Sequence, residues 1–90
     1  MQAVKITVHG IIQGVGYRAL VMEIATSLAI SGYVKNMQDG SVHILAIGEK
    51  VKIDKFLKLI NVDVKHGPQV HKIDSAPAEG KYNYRSFEIR

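Results

Sequence analysis

The stretch VKITVHGIIQGVGYR, residues 4–18, contains the change of pattern on which the predicted fold rests. Apolar and polar residues alternate from residue 4 to residue 8, the period-two pattern of a half-buried β-strand. The alternation ends at Gly10, and from about residue 18 to residue 30 apolar residues recur at helical spacing instead. They form one apolar stripe of two adjacent rows, Leu20-Ile24-Leu28 and Val21-Ala25-Ala29. The stretch therefore predicts a strand, a glycine-rich turn and a helix that packs on a sheet.

The rest of the chain continues this succession of strands and helices. Pattern and composition predict a strand over residues 33–36, a strand over 41–47, a helix over about 50–62, and two strands over 69–74 and 84–90. Asp39-Gly40 predicts the turn of an antiparallel hairpin between the first two of these strands. Gly32 follows the first helix where a helix-terminating glycine is expected.

The predicted order of elements is β-α-β-β-α-β with the last strand doubled, which is the split βαβ or ferredoxin-like arrangement. This α+β fold places two helices on one face of an antiparallel sheet. The strand over residues 69–74 has the least regular pattern, because Val70 and Ile73 are three residues apart. A β-bulge or a short edge strand would explain that spacing. We expect residues 1–90 to form one domain, since a chain of 90 residues has room for a single core.

The composition excludes several classes of function. The chain is 47% hydrophobic and 22% charged, as in ordinary water-soluble domains. It has no cysteine, and therefore no disulfide framework, thiolate metal site or cysteine nucleophile. No apolar run approaches the roughly 20 residues of a membrane span, so a cytoplasmic protein is expected. The four histidines are scattered singly, which argues against a metal, and the net charge of +4 favours anionic ligands.

The glycine-rich turn has the composition of an anion-binding loop. Gly10, Gly14 and Gly16 allow positive φ angles and close backbone approach, so that successive N–H groups can converge on an anion. The following helix adds the positive end of its dipole. Arg18 lies in the first turn of that helix, where a cation is unfavourable by about 0.3–1 kcal/mol unless an anion lies beside it. The turn therefore predicts a phosphate site.

The turn has other interpretations. It could be only a tight connection, with Arg18 a solvated surface residue. Gly14, Gly16 and Ala19 also fit the dinucleotide-binding pattern Gly-x-Gly-x-x-Ala. That pattern requires an acidic residue about 20 positions later, where this chain has Val34 and Asn36. A P-loop is excluded because no Lys-Ser/Thr pair follows the last glycine.

At two motifs the sequence resembles the acylphosphatases. The first motif of that family, Gly-x-Val-Gln-Gly-Val-x-Phe-Arg, corresponds to GIIQGVGYR at residues 10–18. The second, Gly-aromatic-Val-basic-Asn followed by a turn, corresponds to GYVKN at residues 32–36. The resemblance covers essentially the whole chain. It implies a monomeric enzyme that hydrolyses the carboxyl–phosphate bond of a small-molecule acyl phosphate without metal or cofactor, with inorganic phosphate as product and inhibitor.

The resemblance also implies roles for individual residues. Arg18 would be the catalytic arginine that holds the phosphate, and Asn36 would orient the attacking water. The loop backbone would form the phosphate cradle, which consists of Gln13, Gly14, Val15, Gly16, Tyr17 and Arg18. The chain departs from the family where Ile11 replaces a commonly basic residue, where Tyr17 replaces phenylalanine, and where Met37 replaces a small or hydroxyl residue.

Alternatives from other classes stay open on the sequence alone. A ferredoxin-like RNA-binding module would also suit a basic chain, but residues 41–47 contain no aromatic residue on which a base could stack. No nucleic-acid partner is therefore expected. A regulatory or maturation module resembling acylphosphatases, as found in larger proteins that handle carbamoyl phosphate, is a third possibility. Asn36 by itself could equally be a turn former beside Asp39-Gly40.

Overall fold

A computed structural model describes all residues from 1 to 90. Its elements are β1 (Gln2–Ile11), α1 (Tyr17–Ser27), β2 (Ser31–Asn36), β3 (Val42–Gly48), α2 (Lys50–Leu59), β4 (Gln69–Pro77) and β5 (Phe87–Ile89). This order confirms the predicted ferredoxin-like arrangement with a short additional strand at the end. The two helices are 11 and 10 residues long, and neither is long and apolar enough to cross a membrane.

The five strands form one sheet in the order β4-β1-β3-β2-β5. Neighbouring strands are antiparallel except β2 and β5, which are parallel, so the prediction of a purely antiparallel sheet was wrong in this detail. The reason lies in the connection over residues 78–86 between β4 and β5. The carboxyl end of β4 lies at the same end of the sheet as the amino end of β2. β5 therefore starts at that end and must run in the direction of β2.

The same topology brings three strand ends together. Both β1 and β2 run antiparallel to the central strand β3, and β5 runs parallel to β2. The carboxyl ends of β1, β2 and β5 therefore lie at one edge of the sheet, which we call the carboxyl edge. The glycine-rich loop follows β1 at this edge, Asn36 ends β2 there, and Arg90 follows β5.

The core lies between one face of the sheet and both helices. Alternate residues of the strands, such as Ile6 and Val8, point to this face and belong to one cluster of 15 buried apolar residues. The apolar stripe of α1 contributes Val21 to the cluster. Phe56 of α2 contacts Phe87 of β5 with the ring centroids 6.3 Å apart. Packing of both helices on the same face confirms the predicted layering.

The end of α1 differs from the prediction. The helix ends at Ser27, and Ala29 has the left-handed conformation, φ 56°, that glycine usually supplies after a helix. Gly32 does not end the helix. It lies within β2, where a Cβ atom would come within 1.9 Å of the Leu45 carbonyl oxygen. Gly32 therefore permits close packing of β2 against β3.

The structure of β4 explains the irregular spacing of Val70 and Ile73. Its pairing with β1 shifts between His9 and Gly10, so that His71 is an extra residue in the ladder. The predicted bulge and the edge position are both confirmed, whereas the strand is nine residues long rather than short.

The left-handed Ala29 provides a test of the helix end. A left-handed conformation destabilises an L-residue by about 1–2 kcal/mol. Glycine avoids this cost, but the greater entropy of its unfolded chain offsets part of the gain in stability. We expect Ala29→Gly to raise the free energy of unfolding by about 0.5–1 kcal/mol, measured by urea denaturation. Ala25→Gly is the matched control, because Ala25 is buried within α1 and the same change should lower stability by about 1 kcal/mol or more. A destabilising Ala29→Gly would contradict this account.

Candidate active site

The loop between β1 and α1 presents a run of free backbone donors at the carboxyl edge. Gly14 and Gly16 have φ angles of 75° and 80°, so the backbone turns through the left-handed region at both positions. None of the N–H groups of residues 13–19 donates to a backbone carbonyl group. The first intrahelical bond of this region runs from the Leu20 N–H to the Gly16 carbonyl oxygen, 3.1 Å. The loop and the first turn of α1 therefore leave their donors available to an anion.

The first turn of α1 carries a cation where an anion would be favourable. Gly16 is the N-cap residue and offers no side-chain cap, and no acidic residue lies in the first turn. Arg18, which is half-buried, occupies this turn instead. Its Nη1 atom donates a hydrogen bond of 3.0 Å to the carbonyl oxygen of Arg90, just beyond β5. This bond holds the guanidinium group at the helix N-terminus.

Arg90 is itself held by several contacts. Its backbone N–H donates to the Val34 carbonyl oxygen at 2.8 Å, which extends the pairing of β5 with β2. Its guanidinium group lies 4.3 Å from the centroid of the Tyr33 ring and donates to the Tyr84 hydroxyl at 2.9 Å. The carbonyl group that accepts from Arg18 is thus attached to a fixed residue.

Asn36 ends β2 at the same edge. Strand alternation places it on the helix-bearing face with Val34, which is fully buried in the core. The Asn36 Oδ1 atom is buried and has no hydrogen-bond partner within the protein. Buried polar atoms in proteins are nearly always hydrogen-bonded, so the unpaired Asn36 Oδ1 atom is an exception among the side chains of this protein.

Gln13 joins the loop to the β2–β3 hairpin. Its Nε2 atom donates to the Met37 carbonyl oxygen at 2.7 Å and to the Ser41 carbonyl oxygen at 3.0 Å. Both acceptors lie in the turn that follows Asn36. The Gln13 side chain therefore fixes the loop relative to Asn36, a role beyond the backbone contribution that the sequence predicted.

The hairpin turn is stabilised by its own side chains. The Asp39 carboxylate accepts hydrogen bonds from the Ser41 hydroxyl and from the Ser41 N–H, the latter at 2.9 Å. The Ser41 hydroxyl bond, followed by the backbone bond, lowers the pKa of Asp39 below its usual value. The turn predicted from Asp39-Gly40 thus presents a defined pair of carbonyl groups to Gln13.

A cavity of about 180 Å³ lies beside the loop. Gly14, Gly16 and Arg18 line it from the loop and the first turn of α1, and Ile89 lines it from β5. Of the predicted site residues, Gly14, Gly16, Tyr17 and Arg18 line this cavity, and Gln13, Val15 and Asn36 do not.

Comparison with known proteins agrees with this geometry. The family model described as acylphosphatase matches residues 4–89. The chain belongs to the acylphosphatase family. An acylphosphatase from Archaeoglobus fulgidus is 45% identical over 92 residues, an alignment that covers 99% of this chain and 98% of that protein. The family is one of hydrolases that act on acid anhydrides.

Solved structures give the same assignment. The crystal structure of acylphosphatase from Bacillus subtilis has a TM-score of 0.89 and 30% sequence identity, and covers 100% of this chain and 99% of that chain. A similar domain occurs within a much longer chain. The crystal structure of full-length HypF in the phosphate- and nucleotide-bound form matches 99% of this chain with a TM-score of 0.84 and 31% identity, over 12% of its own length.

Tyr17 is the position where this acylphosphatase family member carries a hydroxyl group that the family motif lacks. The side chain is buried, and its hydroxyl donates to the Ile60 carbonyl oxygen at 2.9 Å, at the end of α2. Burial raises the pKa of Tyr17. The hydroxyl group links the start of α1 to the end of α2. Of the polar hydrogens of Tyr17, only the backbone N–H is therefore available to an anion in the loop.

The bridge made by Gln13 can be tested with an isosteric substitution. In Gln13→Glu the two N–H donors are replaced by a carboxylate oxygen that faces two carbonyl groups. Loss of these bonds at a part-buried position should lower the free energy of unfolding by about 1–3 kcal/mol at pH 7, measured by urea denaturation. Gln38→Glu adds the same charge at an exposed turn position and should change stability by less than about 0.5 kcal/mol. Equal stability of the two variants would mean that the bridge contributes nothing.

Proposed function

We propose that the protein hydrolyses the carboxyl–phosphate bond of small-molecule acyl phosphates, giving a carboxylate and inorganic phosphate. In this proposal the loop from Gln13 to Arg18 binds the phosphoryl group, the Arg18 guanidinium stabilises its charge, and Asn36 orients the attacking water. The observation that carries the proposal is the run of unpaired N–H groups over residues 13–19 beside Arg18. Family membership supplies the reaction to which this geometry is suited.

The electrostatics of the loop favour a phosphate dianion. The unpaired N–H groups and the N-terminal end of the α1 dipole are positive, and Arg18 adds a full positive charge. Only Nη1 of Arg18 makes a hydrogen bond within the protein, so Nη2 and Nε stay free for phosphoryl oxygens. The planar fork can bind two of these oxygens at once, which a lysine could not do.

The chemistry of an acyl phosphate matches what these groups can supply. The leaving group is a carboxylate, whose conjugate acid has a pKa of about 4–5 by comparison with Asp and Glu side chains, so no general acid is required at neutral pH. Phosphoryl transfer passes through a loose transition state with charge spread over the equatorial oxygens. Positioned N–H donors and a guanidinium group stabilise that charge directly, and the proposed mechanism therefore needs neither a metal nor a covalent intermediate.

Asn36 is suited to hold the nucleophile. An asparagine side chain offers water both an acceptor and a donor, although the Oδ1 atom of Asn36 is buried in the substrate-free protein. Oδ1 makes no bond to the local backbone, as the side chain of a turn former would, and this favours the water-orienting role. The Gln13 bridge keeps Asn36 and the phosphate loop in a fixed relation, as attack in line with the leaving group requires.

Further expectations from the sequence belong to this proposal. Inorganic phosphate should bind the same loop and inhibit competitively. Action as a monomer in the cytoplasm, without a cofactor, stays a prediction. A role as a regulatory or maturation module within a larger protein stays an alternative.

Hydrolysis of acetyl phosphate in excess EDTA, by the wild type and by Arg18 variants, tests the proposal. The wild type should be fully active and inhibited competitively by phosphate. Arg18→Ala should lower kcat/KM at least about 100-fold and weaken phosphate binding, and Arg18→Lys should recover little of the loss. Arg18→Ala removes an unfavourable cation from a helix N-terminus and also removes the bond to Arg90, so phosphate-free stability should change by less than about 1 kcal/mol.

Two results would contradict these assignments. Activity that disappears with EDTA and returns with Mg²⁺ would exclude the metal-independent mechanism. An Arg18→Ala enzyme that is much less stable but turns over at the wild-type rate would make Arg18 a structural residue.

Asn36 should respond differently from Arg18, because it is assigned to water rather than to phosphate. Asn36→Ala should lower kcat and kcat/KM together and leave KM and the phosphate inhibition constant nearly unchanged. Asn36→Asp should be at least as damaging, since a carboxylate about 5 Å from a dianion adds roughly 6–7 kcal/mol of repulsion at an effective dielectric constant near 20. Asn83→Asp, in the segment between β4 and β5, is the matched control. A folded Asn36→Asp enzyme with most of its turnover would rule out the water-orienting role.

A further inference from the structure

The face of the sheet opposite the helices, which we call the open face, carries basic residues at its centre. Strand register places Lys5 of β1 and Lys35 of β2 on either side of β3, where His43 points outwards between them. Both lysines are exposed, and neither forms an ion pair. The spacing and rise of the strands put their Cα atoms about 12 Å apart. The centre of the open face therefore holds two free cations around one imidazole ring.

The carboxylates of the open face do not offset these charges. The Asp74 carboxylate, on the edge strand β4, lies 3.6 Å from Lys72 Nζ and 3.7 Å from His9 Nε2. The Glu88 carboxylate, on the opposite edge strand β5, lies 3.4 Å from Arg90 Nε. Like charges close together on a sheet are destabilising, and a local rule broken without compensation indicates a functional surface. The centre of the open face is therefore complementary to an anion.

Planar side chains lie beside the two lysines. The His43 ring meets the Tyr33 ring edge-on with the centroids 6.3 Å apart, and the Tyr84 ring lies 6.1 Å from that of Tyr33. The Arg90 guanidinium group covers the Tyr33 ring, 4.3 Å from its centroid. Leu45 lies on this face outside the core and is only 2% exposed, although no helix covers it. The planar groups and their neighbours therefore form a packed layer on the open face.

His43 is the planar group nearest the two free cations. Burial, and then the positive charges of Lys5 and Lys35, lower the pKa of His43 below its usual value. The half-buried ring is therefore neutral at pH 7 and can stack on a nucleobase without adding a third charge between the lysines.

We propose that the open face binds single-stranded nucleic acid, with phosphate groups on Lys5 and Lys35 and a base stacked on His43. Proteins bind single strands on positively charged surfaces where aromatic rings or guanidinium planes stack on the bases. An acidic protein would use only the lysines, and a duplex keeps its bases stacked inside. The combination of free cations with a layer of planar groups therefore favours a strand with unpaired bases.

This partner differs from the expectation based on the sequence. The lack of an aromatic residue in residues 41–47 argued against a nucleic acid on the basis of β3 alone. The fold brings Tyr33 from β2 and Tyr84 from the segment before β5 to the same face. Asn36 lies on the other face of the sheet, so this inference is independent of the proposed hydrolysis.

The test measures binding of a fluorescein-labelled oligo(U) of about eight nucleotides by fluorescence anisotropy, at about 50 and 200 mM salt. The wild type should bind with a Kd of about 10⁻⁴ M or lower at the lower salt concentration. The double variant Lys5→Gln, Lys35→Gln should bind at least about fivefold more weakly. Its plot of log binding constant against log salt should be shallower by about 1.4, because each phosphate contact contributes about 0.7. Lys55→Gln with Lys58→Gln, on the exposed side of α2, is the matched control and should change binding by less than about twofold.

Variants of His43 separate stacking from charge. His43→Ala should weaken binding at least about fivefold, whereas His43→Phe keeps a planar ring and should bind within about twofold of the wild type. Arg18→Ala should bind the oligonucleotide as tightly as the wild type, because the phosphate loop takes no part. If His43→Ala fails to fold, the variant at the two exposed lysines decides the outcome.

Several results would overturn this inference. The first is a wild-type protein that shows no measurable binding. Equal losses in the two double-lysine variants would mean attraction by overall charge, and loss of binding in Arg18→Ala would place the oligonucleotide in the phosphate loop. Polyglutamate that competes as well as unlabelled oligo(U) would assign the open face to an acidic protein instead.

Discussion

The pairing of β1 and β2 with the central strand β3 determines where the candidate site lies. Because both outer strands run antiparallel to β3, their carboxyl ends meet at one edge of the sheet. Arg18 and Asn36 are 18 positions apart in the chain, yet each follows or ends a strand at this edge. β5 adds its own carboxyl end there through parallel pairing with β2. A change in the β3 register would move the segments that carry Arg18 and Asn36, since a slip of one residue turns every side chain to the other face.

Much of the fold followed from the sequence because its patterns are local. Alternation in β1, the helical stripe of α1 and the Asp39-Gly40 turn each express a preference over a few residues, and the structure agrees with all three. Gly32 shows the limit of such patterns. A glycine after a helix suggests termination, but here the contact that requires it is with the Leu45 carbonyl group in a neighbouring strand. The parallel pairing of β5 likewise depends on where β4 ends, which no local pattern contains.

The candidate site also combines local features, which the sequence predicts, with long-range contacts, which it does not. The glycine-rich loop and its arginine were evident from the sequence, because glycine spacing and a misplaced cation are local features. The Gln13 bridge to Met37 and Ser41 spans 24 and 28 positions, and the contact of Arg18 with Arg90 spans 72. Side-chain contacts over such separations depend on the completed sheet. The N–H groups of the loop and the buried Asn36 Oδ1 atom, which lack partners within the protein, lie at this edge.

β4 lies at an open edge of the sheet, nine residues long and paired on one side only. A regular strand in that position would offer a row of free N–H and carbonyl groups to a second chain. The extra residue at His71 interrupts that row and increases the local twist, and Pro77 has no N–H to donate at its end. Lys72 and Asp74 place charged side chains between the bulge and Pro77. The bulge that made this segment hard to interpret from its sequence therefore protects the molecule against strand-by-strand association and aggregation, which small, highly exposed sheets risk at high concentration.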